Sequence, residues 1–170
     1  MEDNNLILVE MKVTGLTIDP FTNMPIIILK DLEEKTALPI WIGLIEASSI
    51  ATELENIQLA RPMTHDLMKT ILQALGVMVT KVEINELADN TFYSRIFLVS
   101  GIKEFIMDSR PSDAIALALR TKAPIYVDKR VIDKSRRIDL SKADGEKTQN
   151  QKWTEILENL SLEDFGKYKM

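Results

Sequence analysis

The chain has 170 residues, 45% of them hydrophobic and 28% charged, with a net charge of -5 and no cysteine. That is enough chain for one domain with a real core, and the composition is that of a folded protein rather than a disordered one. The missing cysteines exclude disulfides, thiolate zinc sites and a cysteine nucleophile, and fit a reducing cytoplasm. Residues 1–134 hold 14 Lys and Arg against 19 Asp and Glu, while residues 135–170 hold 7 of each, so the acidic excess lies in the body. Broad, sequence-blind nucleic-acid binding is disfavoured on that balance, unless a local basic patch or cations offset the carboxylates.

The opening segment, MEDNNLILVEM, has acidic and polar residues where a signal peptide carries positive charge. No run reaches the roughly 18–20 apolar residues that a membrane-spanning helix needs. A cytoplasmic protein without membrane contact is the expectation. From Leu6 to Asp19 a loose alternation (Leu8, Met11, Val13, Leu16, Ile18) reads as a strand. DPFTNMP supplies a turn, IIILK a buried strand, LEEKT another turn, and ALPIWI a third strand that Pro39 pushes to an edge or a strand start. These three strands form a meander.

The period then changes. In GLIEASSIATELENIQLA, Ala47, Ile50, Ala51, Leu54 and Ile57 share one helical face. Thr64 is a fair N-cap for a second helix, whose stripe of Leu67, Met68, Ile71, Leu72 and Leu75 ends at Gly76. VMVTKVEINEL and TFYSRIFLVSG flank ADN and read as a hairpin, with KEFIMD as a further short strand. RPSDAIALALR is a helix apolar on nearly all sides, expected between layers. APIYVD is a short strand, and KRVIDKS a last turn of helix. Residues 135–151 read as a polar linker. KWTEILENL predicts a short amphipathic helix in a tail over 152–170, with Ser161 and Asp164 as a capping pair. The expected class is α+β: a mixed or antiparallel sheet of meander plus hairpin, packed with three main helices, followed by the short helical tail.

Two stretches repeat one theme: ARPMTHDL at 60–67 and SRPSDAI at 109–115 each place Arg-Pro ahead of an Asp at a helix start. A proline stiffens the arginine before it, and free N–H groups at the helix start add to an anion site. The alternative for Arg61 and Arg110 is a local salt bridge, Arg61 to Asp66 and Arg110 to Asp113. Asp66 and Asp113 each complement a helix N-terminus, and if they converge they can hold Mg²⁺ or Mn²⁺ through oxygen ligands. His65, the sole histidine, reads either as a packed helix-start residue or as a neutral general base or metal ligand. Glu46 and Glu53 lie seven apart on one helical face and line either a cleft or solvent. Ser48, Ser49 and Ser112 lack the surroundings of a nucleophile elbow, and no P-loop, GxGxxG, HExxH or EF-hand occurs. Trp41, Phe92, Tyr93, Phe97 and the eight methionines are expected in the core.

LPIWIGLIEASSIA, ARPMTHDLMKTIL with its following LG, LADNTFYSRIFL, and DSRPSDAIALALR with KAPIYV occur in this order across residues 8–133. As an ordered set they resemble the bifunctional nuclease domain family, and LENLSLEDFGKYKM is similar to the carboxyl end of bacterial members. Asp89-Asn90-Thr91 stands where the family usually has Asp-Gly-Thr, and Ser109 where Ala is more usual. The resemblance implies a self-associating α+β domain (a dimer or higher) that hydrolyses phosphodiester bonds of RNA and DNA. Glu46, Arg61, His65, Asp66, Asp108, Arg110, Ser112 and Asp113 are its chemically useful motif residues. On that basis His65, Asp66 and Asp113 are the expected catalytic residues. Arg61, Arg110 and Ser112 would hold the substrate phosphate, and Asp66, Asp113, Glu46 and Asp108 a divalent Mg²⁺ or Mn²⁺. The alternative functions are a non-catalytic nucleotide- or anion-binding module, a protein-interaction module, or a structural oligomer whose polar cluster is an interface network.

Overall fold

The computed structural model describes residues 6–135. The expected linker beyond Ser135 and the helical tail over 152–170 lie outside them. The meander forms as read: β1 (Leu8–Ile18), β2 (Pro25–Asp31) and β3 (Ala37–Trp41) pair antiparallel in sequence order. Side chains build its turns. Asp19 Oδ1 accepts from the Phe21 N–H at 2.9 Å, and Asp31 Oδ1 from the Thr36 N–H at 2.8 Å. β1 is bulged between Val13 and Gly15. The extra residue lets Met11 and Leu16, five apart, both reach the core, which is why simple alternation reads β1 only loosely. β3 is an edge strand, the place where Pro39 costs no interior ladder bond.

Helix α1 (Leu44–Leu54) stops earlier than its apolar pattern. Asn56 takes φ 52°, and the Ile57 and Asn56 N–H groups turn back to the Thr52 and Glu53 carbonyls, closing the helix end and leaving Ile57 outside the core. Helix α2 (Thr64–Ala74) starts one residue earlier than expected. Met63 is the N-cap, and its N–H donates to Asp66 Oδ2 at 2.8 Å. The larger departure is burial. His65 is the one buried residue of α2, and the apolar stripe of the helix is largely exposed, with Ile71 at 49% and Leu75 at 67% exposure.

β4 (Met78–Ala88) and β5 (Thr91–Ser100) form the predicted hairpin, with Asp89 and Asn90 at φ 48° and 61°. Asn90 therefore fills the left-handed position that glycine usually takes. β6 (Lys103–Ser109) extends the sheet as its outermost strand. Helix α3 (Pro111–Thr121) is buried as expected, packed on α1, α2, β4 and β5, with Pro111 at the position whose N–H needs no partner. β7 (Ile125–Asp128) and α4 (Lys129–Lys134) complete the described chain.

The seven strands run β3-β2-β1-β7-β4-β5-β6, antiparallel except for β7 beside β4. This is the expected α+β fold with a mixed sheet. Its core comprises Ile27, Leu29, Leu38 and Ile40 of the meander, Val82, Ile84 and Val127 at the centre, and Ile115 and Leu117 of α3. Among the described residues no helix is long and apolar enough to cross a membrane.

Candidate functional site

The polar residues of α1, α2 and α3 meet where the three helices pack. His65 projects inward from the first turn of α2. Its Nδ1 lies 2.8 Å from Ser49 Oγ on α1, and its Nε2 3.1 Å from Asp113 Oδ1 on α3. Arg110, the N-cap of α3, donates from Nε to Asp113 Oδ2 at 2.8 Å and from Nη1 to Glu46 Oε1 at 2.9 Å. One hydrogen-bonded chain thus runs Ser49–His65–Asp113–Arg110–Glu46. These five residues, with Asp108 on β6, line an open cleft of about 530 Å³ whose other wall includes Met68, Leu72, Ile96, Leu98 and Met107.

Asp113 sets the imidazole tautomer. Burial pushes its carboxyl up, but bonds from Arg110 and His65 outweigh burial and hold it below the usual carboxylate range. An ionised carboxylate only accepts, so Nε2 carries a hydrogen, and whenever the ring is neutral Nδ1 accepts from the Ser49 hydroxyl.

Arg120 organises the helices from behind. Its side chain, 3% exposed, donates from Nε to Asp66 Oδ1 at 2.6 Å, from Nη1 to the Ala116 carbonyl and from Nη2 to the Ser49 carbonyl, both at 3.0 Å. With Met63 on its other oxygen, Asp66 has both oxygens engaged away from the His65 cleft. Burial raises the Asp66 carboxyl, and Arg120 and the Met63 N–H more than reverse this. Stability from Asp66 and Asp113 is therefore complete above the ordinary carboxylate pKa and is lost as pH falls through their lowered folded values. Urea midpoints should hold steady from about pH 7 to 5 and drop below about pH 4. Asp113→Asn should flatten part of that drop, and an unchanged profile would remove the linkage.

The sequence-predicted residues divide between surfaces. His65, Asp113, Arg110, Glu46 and Asp108 share the main cleft. Arg61 and Asp66 line a separate cleft of about 330 Å³ with Arg120, so the two Arg-Pro segments do not grip one site. Of the two local salt bridges, Arg110–Asp113 forms, whereas Asp66 pairs with Arg120 instead of Arg61. Ser112 is buried and lines another cleft, of about 300 Å³, beside Arg110. Ser109 does not cap α3; it bonds to Ser94. Ser49 was set aside in the sequence for want of a nucleophile elbow, and Arg120 was not singled out there. Arg120 had a signal, since a lone cation on an otherwise apolar helix must find a buried partner. Ser49 had only its place among alanines on the inner face of α1.

The expected divalent ion finds Glu46 and Asp113 joined through Arg110, with Asp108 on the same cleft and Asp66 elsewhere. Among the described residues no three His, Asp or Glu side chains group as a metal-holding set. As placed, the four carboxylates do not form the ligand shell expected for them.

Comparison with known proteins matches the sequence to a family. An uncharacterized protein of Mycobacterium tuberculosis is 35% identical over 162 residues, covering 92% of this chain and 97% of that protein. Bifunctional nuclease 1 of Oryza sativa subsp. japonica is 36% identical over 110 residues, 62% of this chain but 33% of the plant protein. Bifunctional nuclease 1 of Arabidopsis thaliana is 34% identical over 110 residues, again 62% of this chain and 34% of its own length. The sequence signature of the bifunctional nuclease domain matches residues 27–139, which include all of α1, α2 and α3, and the chain therefore belongs to the bifunctional nuclease domain family.

Proposed function

We propose that the chain is a nuclease hydrolysing phosphodiester bonds of RNA, DNA or both, with Ser49, His65 and Asp113 as its acid–base centre. The supporting observation is the continuous hydrogen-bonded chain from Ser49 to Glu46 along one open cleft, in a chain of this family. Arg110 holds the phosphate. Three of its five N–H groups are spent on Asp113 and Glu46, and two remain to take a phosphate oxygen and stabilise developing charge. A water bonded to Ser49 Oγ attacks phosphorus while its proton passes through the hydroxyl to His65 Nδ1. Asp113 steadies the resulting imidazolium, which then protonates the leaving oxygen. A cytoplasmic setting belongs to this reading.

The test is hydrolysis of labelled single-stranded RNA and DNA by the full chain with Mg²⁺, with Mn²⁺ and with chelator. No step above runs through an ion, and the expected metal requirement is read directly from the chelator arm. Cleavage lost in a folded His65→Ala protein supports the reading. Nucleotide binding without cleavage in any arm overturns it in favour of a binding module.

Gly43, the N-cap of α1, gives a finer check. A Cβ there would run into the Glu46 carboxylate, whose flexible end must swing off Arg110. Gly43→Ala and Glu46→Ala should both tighten phosphate binding severalfold, because each frees a guanidinium N–H and displaces a negative charge. Titration with inorganic phosphate measures it, and weaker binding in both would contradict Arg110 as the anion contact.

Self-association is part of the same proposal, through the exposed stripe of α2 and the outermost strand β6, where Ile106 is 58% exposed. Light scattering should give a mass above the 19.3 kDa of one chain, falling to one chain in an Ile71→Asp/Ile106→Asp variant.

A further inference from the structure

Beside the main cleft, Arg110 and Glu46 also line a second cleft of about 300 Å³ whose walls include Trp41, Phe92 and Asn90. These last three reappear in a third cleft, of about 470 Å³, together with Lys134. The two aromatic rings thus stand between Arg110 on one side and Lys134 on the other. Both were expected in the core. Instead Trp41, at the end of edge strand β3, is 44% exposed while its neighbours Ile40 and Ile42 are buried.

Core packing does not account for this indole, and it is not loose. Its Nε1–H donates to Asp19 Oδ2 at 2.9 Å, which fixes the ring by its polar edge and leaves the aromatic faces for other contacts. A rigid ring loses little entropy when something stacks on it. The order of cation, aromatic pair and cation is that of a nucleic-acid strand, in which phosphates alternate with flat bases.

We propose that the cleft between Trp41 and Phe92 binds a nucleobase of a single-stranded nucleic acid whose phosphate lies on Arg110, making Trp41 a substrate-binding residue. This rests on the nuclease reading and adds to it a strand preference. A base stacks on an indole only when unstacked from its own neighbours, so a duplex is a poor ligand. Stacking tolerates every base, and the Asn90 carboxamide, which lines both clefts, can read a base edge.

The chain has two tryptophans, so Trp153→Phe leaves Trp41 as the sole indole reporter in the full-length protein. A short phosphorothioate oligothymidylate, resistant to cleavage, is the probe. Its binding should quench Trp41 fluorescence, and a duplex of the same length should not. In the protein that keeps Trp153, Trp41→Ala should raise Kd by about 5- to 150-fold, measured by anisotropy of a labelled probe. Trp41→Phe, which keeps an aromatic face, should stay within a fewfold of the parent. Phe92→Leu, at the other aromatic residue of the cleft, gives a second loss should the alanine variant fold poorly.

No quenching, equal response to duplex, or an unchanged Kd in folded Trp41→Ala and Phe92→Leu proteins would overturn the proposal. Hydrolysis of an ordinary phosphodiester strand is followed in parallel. Quenching without hydrolysis keeps the base cleft and removes the nuclease reading. Hydrolysis with Kd and KM indifferent to Trp41 removes the base cleft and keeps the nuclease reading.

Discussion

His65→Ala is expected to lower phosphodiester turnover by about 10²–10⁴-fold, the usual loss when a positioned acid–base group is removed. The imidazole is the one side chain joining Ser49 to Asp113, so its loss breaks the proton path in the middle and leaves Arg110 in place. The fall should therefore appear in kcat, with KM nearly unchanged, whereas Arg110→Ala should raise KM as well. Because His65 is buried between three helices, the comparison needs the urea midpoint of each variant and a His65→Asn protein that keeps a polar group there. Turnover within a fewfold of the parent in either folded protein would take His65 out of the chemistry.

Asp66→Ala is the substitution expected to cost most in stability, about 3 kcal/mol. It leaves the buried Arg120 guanidinium without its counter-charge, and breaking such a pair from one side typically costs 3–5 kcal/mol. The 35% exposure of the Asp66 side chain admits water to the guanidinium and places the figure at the low end. Arg120→Met in the same chain should recover part of the loss, since the buried charge is then gone. The Ser49 carbonyl that Arg120 served still has the Thr52 hydroxyl at 3.0 Å. A urea midpoint that moves with unchanged slope measures both effects. A double variant less stable than Asp66→Ala alone would show that Arg120 contributes through its other contacts.

Local chemistry was the legible part of this sequence. The meander, the Asp89-Asn90 hairpin and the buried helix after Arg110 each follow from neighbours in the chain, and each stands where it was expected. What α2 faces was not legible. Its 3.6-residue stripe correctly predicts a helix, but periodicity identifies an apolar face without saying what covers it. The same limit applies to Trp41, whose aromatic character argues for burial until Asp19, 22 residues away, is seen holding its edge. In the site, Arg110 and Asp113 are three apart and readable as a pair, whereas His65 meets Asp113 across 48 residues. Nor does the likeness of Arg61 and Arg110 in sequence reveal that they line different clefts.

The place of β7 bears on how the chain is assembled. Among the described residues it is the last strand in the chain, yet it lies at the middle of the sheet, joining β3-β2-β1 on one side to β4-β5-β6 on the other. Until Ile125–Asp128 is available, the two three-stranded halves have no shared hydrogen-bond ladder, and Val82 and Met11 lack the Ile125 they both pair with. During synthesis the amino-terminal half must wait with an open edge for residues more than a hundred positions later, a topology that makes folding slow and late. A chain stopped before residue 125 should yield two incomplete sheets rather than a smaller working domain.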